Sequence, residues 1–196
     1  GTTLVSSGTL KISASDRLSN STTLNVANGA TFDLSGFSES VGSLAGTGTI
    51  DNSTGTGTYT LGAGGDNNNF SFSGLIKNTS GTVKFEKIGS GDASLTNTSN
   101  SFTGGITITA GPLSLAASDG IPSSGGMVFN GGGLNSGGYS ETIASISLSE
   151  NSTIALGAGS HTLTFTAAGT FTSGRLLTIT GWTGNYGNGT TGTAGK

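Results

Sequence analysis

Two short stretches, "LKISASD" at Leu10–Asp16 and "GFSESVGSL" at Gly36–Leu44, return further along the chain. They reappear as "LSLAASD" at Leu113–Asp119 and "GYSETIASI" at Gly138–Ile146, offset by 103 and 102 residues. Two matches in the same order at nearly one offset mark an internal repeat, and internal repeats point to stacked architectures. The chain reads as about two copies of a ~100-residue unit, repeat one over about 1–103 and repeat two over about 104–196.

Inside each copy runs a shorter beat. Apolar residues alternate in pairs, such as Leu10/Ile12, Leu24/Val26, Phe32/Leu34, Val83/Phe85 and Ile106/Ile108, and Gly, Asn, Ser or Asp closes each pair. Period-2 alternation bounded by turn residues is the mark of short, half-buried strands. No stretch sustains the i, i+3, i+4 pattern of a helix, so no α-helix is expected. Short strands alone would suit a sandwich or barrel equally well. The repeat decides for an all-β solenoid with coils of ~20–25 residues. Apolar side chains fill its interior, Thr and Ser face water, and Gly supplies the positive φ of the corners.

Composition agrees. Gly accounts for 37 of 196 residues, Pro for 2, and charged residues for 9%. A disordered linker would carry a high net charge and few β-branched residues, whereas here the net charge is −3 and Val, Ile, Thr and Phe recur throughout. The seven basic residues are scattered from Lys11 to Lys196. They form no stripe that could neutralise a phosphate backbone, so nucleic acid is not an expected partner. There is no cysteine, hence no disulfide and no thiolate metal site. No apolar run approaches the length of a membrane span, and Gly1 opens directly in patterned sequence, as in a mature chain or one cut from something larger.

Chemistry finds little foothold. The ten acids are mostly isolated in turns, and glycoside chemistry needs a converging pair. Glu39 and Glu141 hold equivalent repeat positions and read as a repeated structural turn. His161, the single histidine, reads as a solvent-facing strand residue with no partner to make it a base. "GAGGD" at Gly62–Asp66 offers one acid without the tandem repeat of a calcium-binding turn. The Asn-rich "GGDNNNF" at Gly64–Phe70 fits a wide turn whose side chains bond their own backbone. No enzyme activity, cofactor or metal is expected. Trp182 and Tyr186, in "GWTGNYG", could stack on a sugar or cap the open end of the solenoid.

Three segments carry a family likeness: "FSG" at Phe72–Gly74, "VKFEKIGSGDASLT" at Val83–Thr96 and "NSFTGGITITAGPLSLAASDGIPSSGG" at Asn100–Gly126. Together they resemble the autotransporter-associated β-strand repeat. Glu86–Gly91 supplies its Lys-x-Gly-x-Gly turn, and Phe102 stands in its aromatic place. "LLTITGWTGNYGNGTTG" at Leu176–Gly192 is similar to the end of passenger regions in relatives that carry sorting signals. The resemblance implies a right-handed parallel β-helix exported and displayed at the bacterial cell surface. On that view the chain is a non-catalytic stalk or adhesive segment. Alternatives are an extracellular fibre polymerised head to tail, and a carbohydrate-binding or carbohydrate-active module. Expected partners are flanking chain, a second copy through the open solenoid edges, or surface glycans. No membrane insertion by this segment is expected. "TTLVSSGTLKIS" after Gly1 aligns with Ile106–Ala116, so the first coil reads as an interior one and the isolated chain is expected to self-associate along its axis.

Overall fold

The computed structural model describes residues 1–182. Among them every regular element is a strand, and no helix is present to cross a membrane. The strands pair in parallel throughout. They stack as a β-solenoid of about nine coils with three faces.

Face one starts with Thr2–Val5, Thr23–Val26 and Ser43–Gly46, and continues through a six-stranded ladder from Phe70–Phe72 to Leu177–Thr180. Face three is a seven-stranded ladder from Glu39–Val41 to Leu163–Phe171. The lower part of face two carries a four-stranded ladder of its own, Thr9–Lys11, Thr31–Asp33, Thr49–Asp51 and Leu75–Ile76. Higher up, the ten-residue strand Glu141–Glu150 runs over face two and on into face three, where its register shifts at a bulge after Ile146.

Alternation places one set of side chains inside, where they stack rung on rung. Leu61, Phe85, Ile106 and Met127 form one column on face three, and Leu10, Phe32, Ile50 and Ile76 one on face two. Nearly all are fully buried. Each buried Leu, Ile or Phe contributes on the order of 1.5–3 kcal/mol.

Corners demand glycine where the backbones of successive coils touch. Gly64 has φ +121°, and a Cβ there would lie 1.8 Å from the Ile88 carbonyl oxygen. Gly89, one coil on with φ +66°, would meet the Gly64 oxygen at 1.9 Å. No side chain fits such a stack.

The two sequence copies do not lie squarely over one another. Their equivalent residues Phe37 and Tyr139 would be expected at like positions about five rungs apart. Following the ladder of face three, however, five rungs above Glu39 stands Ile146 rather than Glu141. Likewise Leu10 lies on face two and its counterpart Leu113 on face one. The second copy is turned by one face about the solenoid axis. The reason is length: paired residues are 18 apart between Thr31 and Thr49 but 26 apart between Thr49 and Leu75. Corner loops of unequal size leave the repeat a little short of five whole coils.

Thr107 departs from expectation as well. Alternation turns it outward between Ile106 and Ile108, yet it is only 5% exposed and its hydroxyl has no hydrogen-bond partner. Its rung neighbours Glu86 and Val128 close over it, so this outer face is shielded by side chains rather than open to water.

Candidate functional site

The repeated motifs meet in space, one coil apart, and each pair builds the same corner. Asp16 holds φ +53° and its N–H donates to the Ser38 carbonyl, while the Ser38 N–H donates to Ser15 Oγ. Asp119 holds φ +52°, with the same two bonds to Ser140 and Ser118. Above each corner a buried glutamate turns down onto it. Glu39 accepts from the N–H groups of Arg17, Leu18 and Ser40, at 2.8, 3.2 and 3.2 Å. Glu141 accepts from Ile121 at 3.0 Å and Thr142 at 3.2 Å. Burial raises both carboxyls above the ordinary value; the N–H bonds pull downward, and the nearby Asp16 or Asp119 adds to the rise. These carboxylates serve as backbone acceptors where no strand carbonyl is available, which is the structural turn expected of them.

Lys87, the lysine of the Lys-x-Gly-x-Gly turn, has a role that the sequence did not show. Val83 and Phe85 point inward, so alternation sends Lys87 inward too, and it is 0% exposed between Ala63 and Ile108. Its Nζ donates to the carbonyls of Ile88, Gly89 and Ala110 at 2.8, 2.8 and 3.0 Å. Burial lowers its pKa to about 8, with the charge of Asp92 opposing the fall. The three donors of an ammonium match three carbonyls that a glycine corner turns inside. Lys-x-Gly-x-Gly is thus one device: the glycines let the backbone turn inward, and the lysine satisfies it.

Other candidates find ordinary partners. Asp66 accepts from Ser43 Oγ and from the Asn68 N–H. Asn67 and Asn69 bond the next coil, at the N–H groups of Ser90 and Asp92 (2.9 and 2.8 Å), rather than their own backbone as expected. His161 is half-buried instead of facing solvent freely, with Nε2 3.0 Å from Ser136 Oγ and Nδ1 3.2 Å from the Gly159 carbonyl. Among the described residues no three His, Cys, Asp or Glu side chains group as a metal site.

Trp182 is 56% exposed and lines a cavity of about 510 Å³ at the last described coils, with Leu156, His161, Leu163, Phe165 and Ile179. Tyr186 lies outside the described residues.

No catalytic constellation emerges from these corners, so relatives bear on function more than any one side chain. The chain is similar to an autotransporter adhesin. It is 34% identical over 208 residues to the adhesin BmaC autotransporter of Brucella suis biovar 1 (strain 1330), a match covering 90% of this chain. The chain spans only 6% of that protein's length. No protein-family model matches the sequence, and no solved structure matches it.

Proposed function

We propose that this chain is a non-catalytic structural and adhesive segment of an exported bacterial surface protein, a rigid stalk that holds binding surface away from the cell. The likeness to an adhesin across 90% of the chain carries this reading. The fold supports it: parallel ladders stacked along faces one and three resist bending, and neutral Thr- and Ser-rich outer faces stay soluble with few charges. The Lys87 corner supports the finer kinship to the autotransporter-associated β-strand repeat, whose Lys-x-Gly-x-Gly turn it explains.

Two measurements test the proposal. Antibodies raised against the chain should label intact source cells; labelling only after lysis would overturn the exported reading. Beads coated with the purified chain should attach to host cells or matrix more than beads coated with an unrelated β-solenoid. Equal attachment would remove the adhesive part and leave a plain stalk.

A further inference from the structure

Faces one and three keep their ladders through the middle of the solenoid, but the ladder of face two stops at Leu75–Ile76. Residues 96–105 and 115–126 cross that face without strand pairing. Asn100 stands in the first gap. Its Oδ1 accepts from the Ile76 N–H at 2.8 Å, taking the place of a strand carbonyl. That bond fixes the amide's orientation and turns Nδ2 away from Ile76. Asn100 is 8% exposed, and its Nδ2 has no hydrogen-bond partner. A buried donor left unpaired is costly, and a bound acceptor would relieve it.

Asn100 lines a cavity of about 300 Å³ that opens at this interruption, together with Asp119, Ile121, Ser123, Glu141 and Thr142. Three successive coils contribute to it. Its volume sits at the lower end of small-molecule sites. Its chemistry is two-sided. A metal cation would suit Asp119 and Glu141 but would face the positive end of the Asn100 amide. An anion would suit the amide but would meet two carboxylates. A hydroxyl group does both, accepting from an N–H and donating to a carboxylate, and adjacent hydroxyls do so at once.

We propose that this face-two cavity is a binding site for a neutral saccharide unit, whose hydroxyls accept from Asn100 Nδ2 and donate to Asp119, with Ile121 as the apolar wall. The inference rests on the adhesive reading above and names the ligand class that reading leaves open.

The test is an NMR titration of the ¹⁵N-labelled 196-residue chain with glucose, galactose, mannose and N-acetylglucosamine in turn, and with calcium chloride as a control. At least one sugar should shift the Asn100 side-chain NH₂ and the Ile121 and Thr142 amides together. Asp119→Asn keeps the left-handed backbone, which Asn tolerates, and should weaken that sugar about tenfold, the loss expected for one charge-assisted hydrogen bond. Ser123→Ala should fold normally and weaken it less. No response at these groups from any sugar, a response to calcium alone, or shifts confined to Trp182 would each overturn the site. The bead assay separates this result from the broader reading. Beads that attach although no sugar shifts these groups overturn the saccharide site and leave adhesion standing. Sugar binding without bead attachment supports the site and overturns adhesion.

Discussion

The corner built by Asp16, Ser38 and Glu39 and the one built by Asp119, Ser140 and Glu141 share backbone conformation and hydrogen bonds, yet their surroundings differ in kind. In the first copy, Lys11, Asp33 and Asp51 stack in register, and Lys77 reaches Asp51 from the next coil. Lys11 lies 3.0 Å from Asp33, and Lys77 lies 3.2 Å from Asp51. Ser53 and Thr79 donate to the two carboxylates as well. In the second copy the corresponding rungs are Ser114, Asn135 and Ala155, without charge. The turn itself survives the change: Asp33 accepts from the Ser35 N–H at 2.9 Å, and Asn135 accepts from the Gly137 N–H at 3.1 Å. Inside, buried Leu34 of the first copy is matched by buried Ser136, whose Oγ is satisfied by His161 and the Gly157 N–H. What repeats is the set of bonds the backbone needs at a corner. Charge and packing are free to vary around it.

That contrast can be broken most forcefully in the interior. Leu34→Ala should cost about 2–5 kcal/mol, as a fully buried truncation does, whereas Ser136→Ala should cost about 1 kcal/mol for its exchanged hydrogen bonds. Denaturant unfolding of both variants measures the difference, and equal costs would mean the two copies pack alike. Next come the glutamates. Glu39→Ala and Glu141→Ala should each destabilise by about 1–3 kcal/mol, because each removes a buried carboxylate that satisfies backbone N–H groups of its corner. Similar losses would confirm one shared device; a loss at only one corner would show that the copies have diverged there too.

The pH dependence of the same pair is a subtler measure. Both carboxyls are raised in the folded chain, so the folded state binds their protons more tightly than the unfolded one. Their contribution is fully present below the ordinary value of 4.5 and is lost as pH rises through the raised values. Melting temperatures of the native chain and of Glu39→Gln/Glu141→Gln, compared from neutral pH downward, should shift in favour of the native chain as pH falls. A constant difference would contradict the raised carboxyls. Asp33 runs the other way: burial would raise it, but Ser53, Lys11 and the N–H groups of Ser35 and Ser53 together hold it low. Its share is lost on acidification and is common to both chains compared. The smallest effect belongs to the charge column. Lys11 is 55% exposed at its side chain, so Lys11→Ala should cost less than about 1 kcal/mol and the cost should fade with added salt. A larger, salt-insensitive loss would make the column part of the fold's foundation.

Much of the solenoid was legible because its signals are local. Alternation in "TVKFEK" at Thr82–Lys87 assigns Val83 and Phe85 to the interior, and glycines mark the corners where coils touch. The candidate site was far less legible. Alternation puts Lys87 inside, but nothing in the sequence says that three carbonyls wait there. Thr107 reads as an outer residue, and only the stacking of Glu86 and Val128 buries it. Asn100 reads only as the start of the family-like stretch Asn100–Gly126; its role depends on a strand that is absent one coil above Ile76.

By itself, then, the sequence determined the strand period and the glycine corners, since each follows from steric needs within a few residues. Tertiary structure alone decided which face each copy occupies, which outer residues are shielded and where the ladder of face two is interrupted. Those outcomes depend on register between coils, and register accumulates from corner lengths that vary from rung to rung. A difference of a few residues at one corner turns everything above it by a face, and no local pattern records that sum.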